Sequence, residues 1–462
     1  MPKFWATSLI AYNMRERIRV ALSITLWTSI LLGFVGAGIY GIQRVTLSKT
    51  TTTPPEVATE VATEVATEII TEEVATMPTS AITITEPKSV GLDSERLQLI
   101  DTVVSDYISR GTIPGAVVAI VRGDRLAYIE AFGSRAVEDA TPMSIETPFD
   151  LASLTKPIVT ATAILQLMER GELRLGERVK DFIPGFEGWH DKRSGKRHDI
   201  RIIELLTHTS ALPVYISLKH LAKEYPDAKD LGIEHLMDYI THCDRELPDN
   251  EGESRYSCLN YITLGRIVEH ITGIALNEYA EQYILTPLGM ENSCFNPTTE
   301  YAMLCAPTSL DEEGRALCGV VEDPLAREIM GGVSGNAGLF STAEDIAKFA
   351  AMMLNNGSWG GTQVLSRRSV DALFNTPEGY EASRRTLGWR AATQHNDAAG
   401  DLLIGDESIV HTGATGTSIV INRGLNIAVI ILTNRANSGG TKSDMLDLRS
   451  KVCNVVAGAI RE

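Results

Sequence analysis

Cysteine pairing, metal-ligand spacing and broad positive charge are all missing from this sequence. Its six cysteines are too few and too scattered across 462 residues for a disulfide framework, and none forms Cys-x-x-Cys. The nine histidines include no His-x-x-x-His, so no metal or other cofactor is expected. A formal net charge of −17 excludes the general electrostatic attraction on which nucleic-acid binding rests. A phosphate loop is absent too: Gly331–Gly338 is glycine-rich but lacks the lysine and its spacing, and reads as a tightly packed cleft wall. For one cysteine pair, Cys305 and Cys318 around the turn-rich 311–314 stretch, a disulfide outside the cytosol and free thiols are equally compatible with the sequence.

Long uncharged runs are scarce, which makes the single one informative. Residues 20–43 carry no charge, a length that suits a membrane-spanning helix and exceeds the apolar core of a cleaved signal peptide. Arg15, Arg17 and Arg19 precede it, so 1–19 is expected to be a cytoplasmic tail, 20–43 an uncleaved anchor, and the rest extracytoplasmic. Residues 44–89 follow as a low-complexity acidic linker, with Glu-Val-Ala-Thr repeated at 56–59, 60–63 and 64–67. A four-residue repeat would stack its glutamates on one helical face, where they repel, so a flexible spacer is expected.

The globular part is expected to span 90–462. Asp93 or Ser94 can cap a helix whose apolar positions are Leu97, Ile100, Val104, Tyr107 and Ile108. Ala116–Val121 and Leu126–Phe132 read as strands across the turn at 122–125. A mostly helical middle runs to about residue 355. Strands return at Ser408–His411, Thr417–Asn422 and Ile427–Thr433, with a closing helix from Lys442 to Ile460. Strands at both ends of a helical middle imply an α/β fold of the α+β type, with one sheet assembled from distant segments and a helical lobe inserted. A nucleophile on the first helix after the early strands would sit between the lobes, where clefts form.

Ser153 and Lys156 form the only Ser-x-x-Lys in the chain. Three residues apart at a helix start they share a face, so the lysine amine can reach the hydroxyl, which is weakly nucleophilic without an adjacent base. Two more segments offer partners. Tyr256-Ser257-Cys258 leads into an apolar-periodic helix, and a phenol beside an ammonium can shuttle protons in acyl transfer. His411-Thr412-Gly413-Ala414 ends one strand and begins a turn, where glycine admits substrate to the backbone and the Ala414 amide can face an oxyanion.

In this order the motifs resemble those of the serine β-lactamases and penicillin-binding proteins. The likeness is strongest to the class C-like branch, which includes D-Ala-D-Ala carboxypeptidases, type 4B penicillin-binding proteins and carboxylesterases. Phe149–Lys156, Leu205–Pro213, Pro287–Met290, Gly331–Phe340 and His411–Thr417 carry it. The resemblance implies a β-lactamase/transpeptidase-like fold, an antiparallel sheet flanked by helices with an inserted all-helical lobe. It implies that Ser153 attacks and is acylated, that Lys156 and Tyr256 pass its proton, and that the amides of Ser153 and Ala414 hold the oxyanion. His411, where lysine is usual, is expected to carry charge only below about pH 6.5 unless its site shifts it. Three positions depart: Cys258 stands for Asn or Asp among the substrate-binding residues, Asn336 for His, and Glu322 for the His of a His-Asp pair that keeps Asp323. The expected function is a membrane-anchored serine hydrolase of peptide or peptidoglycan substrates. Carboxylesterase or β-lactamase action is the alternative within the family, and a catalytically weakened cell-wall-peptide-binding or scaffold protein is the alternative outside catalysis.

Overall fold

The alternation in Ala116–Val121 sets the layers of this protein. In a computed structural model that describes residues 81–461 except 139, 191–194, 248–251, 311–313 and 396, Ala116, Val118 and Ile120 enter one core while Val117, Ala119 and Val121 enter another. A strand buried on both faces belongs at the centre of a covered sheet. This is β2 (Gly115–Arg122), preceded by β1 (Thr83–Ile84) and helix α1 (Leu99–Ser109), and followed by β3 (Arg125–Gly133). Asp93 caps the short helical turn ahead of α1, accepting from the Glu95 and Arg96 amides.

Past β3 the chain runs through β4 (Phe149–Asp150), helix α2 (Thr162–Glu169), helix α3 (Cys258–Thr272), β5 (Phe340–Ser341) and helix α4 (Ala343–Leu354). It returns to the sheet as β6 (Arg390–Ala391), β7 (Ser408–Thr412), β8 (Ser418–Asn422) and β9 (Ile427–Thr433), then closes with helix α5 (Lys442–Ala459). The seven sheet strands lie in the order β1-β3-β2-β9-β8-β7-β6. Early and late segments meet at β2 and β9, with Ile430 opposite Ala119. Helices α1 and α5 cover one face, and α4 with the middle of the chain covers the other.

Two expectations need correction. The sheet is mixed: β1 pairs parallel with β3, Thr83 opposite Arg125, and both β1 residues fall inside the stretch read as linker. Edge pairing has drawn them into the domain. The inserted region is not all helical either, since a two-stranded ribbon forms at 189–190 with 197–198. The expected anchor at 20–43 and most of the linker lie outside the described residues. Among the described residues no helix is long and apolar enough to cross a membrane. Cys305 and Cys318 are not joined in a disulfide, and the Cys318 thiol donates to the Cys305 carbonyl, Sγ to O 3.1 Å.

Candidate active site

The chain reaches Ser153 through a constrained turn. β4 pairs with β5, and the Leu151 amide donates to the Leu339 carbonyl at 2.9 Å. Ala152 then takes φ 47°, a conformation that side chains other than glycine's enter only at an energetic cost. Three contacts hold it there. The Asp150 Oδ1 accepts the Ala152 amide at 2.8 Å, and the Thr415 and Thr417 hydroxyls donate to the Asp150 and Leu151 carbonyls at 2.8 and 3.0 Å. Asp150 is fully buried, and its Oδ2 accepts the Glu322 amide at 2.7 Å. Burial drives its pKa up to about 7 against these hydrogen bonds, with Glu322 and Asp323 adding to the rise.

Ser153 sits half-buried on a tight helical turn (Ala152–Leu154), and Lys156 opens a wide π-helical turn (Lys156–Ala161) before α2. Pro157 has no amide to donate, and the residue before a proline resists ordinary α geometry, so a uniform helix start is not available here. One turn still separates the two side chains. The Lys156 Nζ donates to the Ser153 Oγ and to the Asn336 carbonyl, each at 2.9 Å. The glycine-rich loop is packed as tightly as expected, but behind Lys156 rather than on the cavity wall: Gly335 packs on the Tyr261 carbonyl so closely that a Cβ would lie 2.0 Å from it.

Lys156 is fully buried beneath two aromatic rings, with its Nζ 5.1 Å from the centre of Tyr256 and 5.9 Å from that of Tyr261. Burial works against its ammonium. Cys258 and Tyr256, whose ionised forms it would face, outweigh that loss and raise its pKa above the ordinary lysine value. Cys258 thus reaches the site as an electrostatic neighbour of Lys156, at the first position of α3.

Tyr256 is braced from behind by His208, whose ring lies 4.5 Å from its own, centre to centre. The His208 Nδ1 accepts both the Ser257 amide at 3.1 Å and the Asn260 amide group at 3.0 Å. Burial, then the nearby cations Arg385 and Lys156, hold His208 neutral, far below the usual imidazole pKa.

His411 changes most between sequence and structure. It lies on β7 opposite Ile419, is 5 % exposed, and its Nδ1 has no hydrogen-bond partner. Burial, reinforced by Lys156, Arg385 and Arg390, pushes its pKa well below 6.5. At neutral pH it is an uncharged hydrogen-bonding group, because its site shifts its charging to lower pH than that of an ordinary imidazole. The cations stand beside it. Arg385 lies over the Tyr256 ring at 5.5 Å, and Arg390 pairs with Asp397 at 2.8 Å. Sequence reasoning missed both, because the 384–390 stretch belongs to none of the recognised motifs.

Ser153, Tyr256, His411, Thr412, Gly413 and Ala414 line one cavity of about 390 Å³ together with Arg385 and Arg390. Gly413 is required by close approach, since a Cβ there would lie 2.1 Å from the Thr417 Oγ1 and 2.6 Å from the Leu151 carbonyl. The exposed amide-bearing Ala414 follows it at the cavity edge. A hydroxyl next to an amine, with an aromatic ring packed on that amine, forms a set suited to acyl transfer.

Residues 100–453 match the family model described as Beta-lactamase. The chain is 29 % identical over 400 residues to an N-acetylmuramyl-L-alanine amidase of Bacillus subtilis strain 168, covering 79 % of this chain and 87 % of that protein. It is 31 % identical over 385 residues to an Escherichia coli K12 protein named "Putative D-alanyl-D-alanine carboxypeptidase", covering 77 % and 86 %. The fold matches a β-lactamase/D-alanine carboxypeptidase structure from Pseudomonas syringae with a TM-score of 0.59 and 19 % identity, over 78 % of this chain and 99 % of that one.

Proposed function

Since the chain belongs to the beta-lactamase family of serine hydrolases, we propose that it cleaves carboxylate-ended peptides through an acyl-enzyme on Ser153, in the manner of a D-alanyl-D-alanine carboxypeptidase. One observation carries this reading: the Lys156 Nζ, sequestered from water, lies 2.9 Å from the Ser153 Oγ. Lys156 and Tyr256 together supply the acid–base function of this scheme, which begins once one of the two has given up a proton. In that form either the amine or the phenolate accepts the serine proton as Oγ attacks the carbonyl carbon. The same pair returns the proton to the departing amine. Water then attacks the acyl-enzyme, gives up a proton to the pair, and restores the Ser153 hydroxyl. The Ser153 and Ala414 amides are the oxyanion donors of this scheme, where removal of one typically costs on the order of 3 kcal/mol.

Arg385 supports a terminal carboxylate on the substrate, because the cavity holds a cation there that forms no ion pair among the described residues. The proposal includes anchoring by residues 20–43, with the domain outside the cytoplasmic membrane, where cell-wall peptide would be met. The test is product release from two acyl donors, a D-Ala-D-Ala-ended peptide and a short neutral ester. Release of D-alanine, absent in Ser153→Ala, supports the carboxypeptidase reading. Turnover of the ester alone would replace it with an esterase.

A further inference from the structure

Behind the turn that presents Ser153 lie thiols that the hydrolytic scheme does not use. Cys305 is fully buried in a small separate core around Phe340, and the partly buried Cys318 packs on that core. The two stand 13 positions apart in sequence and meet across a close backbone approach. The Cys318 Sγ lies 3.1 Å from the Cys305 carbonyl oxygen and 3.0 Å from that of Ala302. Gly319, at φ 64°, presses on the same turn, where a Cβ would lie 2.3 Å from the Ala302 Cβ. Between the cysteines the chain doubles back, the Thr308 amide donating to the Leu317 carbonyl at 2.8 Å.

This core is too small to hold its segment by apolar burial alone, yet the active-site turn leans on that segment. The Ala306 amide donates to the Pro148 carbonyl at 2.8 Å, just ahead of β4, and the Glu322 amide donates to Asp150 at 2.7 Å. From the convergence of the two thiols on one pinched turn we infer that Cys305 and Cys318 are a modification site, oxidised to a disulfide that fastens residues 302–322 behind Asp150. A small-molecule or protein disulfide is the oxidant. Cys318, the more accessible thiol, loses its proton, attacks the oxidant's S–S bond, expels one half as a thiolate and stays joined to the other. Cys305 then gives up its proton and displaces that second half. One S–S bond has formed and one has broken, and the two released thiolates take up the two protons. Burial first, then Cys318 and Cys294, push the Cys305 thiol pKa far up. A thiolate so disfavoured makes closure slow, and it also makes the finished bond resist reduction. The supply of oxidant in the cell rests on the extracytoplasmic placement proposed above; the pairing does not.

The full-length protein, purified under reductant and then incubated with oxidised glutathione, tests the pair. Remaining thiols are alkylated in denaturant and the peptides mapped by mass spectrometry without reduction. The expected result is one linked peptide pair carrying Cys305 and Cys318. The urea midpoint of the oxidised protein should exceed that of the reduced protein by on the order of 0.5 M, and dithiothreitol should abolish the difference. Cys318→Ser should show no such redox-dependent shift. Recovery of Cys305 and Cys318 as alkylated or glutathione-capped thiols, or a bond to Cys294 instead, overturns the pair. A linked pair with an unmoved midpoint overturns its fastening role. The mapping uses the wild type, so poor folding of Cys318→Ser cannot decide the outcome. Failure of Ser153 labelling would overturn the hydrolase reading and leave this mapping standing.

Discussion

Asp150 accepts the Ala152 amide at 2.8 Å, and Ala152 in turn holds the left-handed φ of 47° that presents Ser153. Both Asp150 oxygens accept amides, the second from Glu322, so an amide side chain in its place must aim an N–H at an N–H. Asp150→Asn should lower kcat on the order of tenfold or more, with KM little changed, and should destabilise the fold by about 1–3 kcal/mol. Steady-state kinetics with urea unfolding of the same variant checks both.

Asp150 also makes a signed pH prediction. Its folded pKa is raised to about 7, so between roughly pH 4 and 7 the folded state binds the extra proton and stability falls as pH rises. Activity should move oppositely, because only the carboxylate accepts both amides. Urea midpoints and kcat between pH 5 and 8, flattened in Asp150→Asn, are the expected outcome.

His208 and His411 act in the other direction. Both are held neutral well below the ordinary imidazole pKa, so below about pH 6.5 the unfolded chain takes up protons that the folded one refuses. Each should cost up to about 1.4 kcal/mol of stability per pH unit in that window. His411→Gln should weaken the acid sensitivity of the urea midpoint. His411→Lys, which sets a cation among Lys156, Arg385 and Arg390, should lower activity on the order of tenfold rather than restore a charge grip.

Cys258 is the first of the groups that favour the Lys156 ammonium. Cys258→Asn removes that influence, so the acid limb of kcat/KM should shift to lower pH, read directly from the pH–rate profile. An unshifted limb would mean that the thiol does not act on Lys156.

Gly413→Ala should reduce kcat by on the order of 100-fold, because the new Cβ displaces Thr417 or the Leu151 carbonyl and with them the oxyanion donors. The companion substitution Arg385→Gln should raise KM for carboxylate-ended substrates at least about tenfold and spare neutral esters. A substrate panel run on both variants separates the two effects.

Much of this was legible before any coordinates. The strands near 116–132 and 408–433 and the closing helix appear within a residue or two of their expected ends, because apolar runs bounded by turns are local signals. Ser153, Lys156, Tyr256 and Gly413 were readable because acyl transfer demands those groups in sequence-local motifs. The charge state of His411 was not, since it depends on Arg385 and Arg390, which only β6 and its flanking turn bring beside it.

The central claim is that Ser153, beside Lys156, is the residue that becomes acylated. Intact-protein and peptide mass spectrometry after exposure to a fluorophosphonate or a fluorescent penicillin measures this directly. The account predicts one adduct, on the peptide containing Ser153, that is absent in Ser153→Ala and slowed by on the order of 100-fold or more in Lys156→Ala. Equal labelling of the wild type and Ser153→Ala would contradict it.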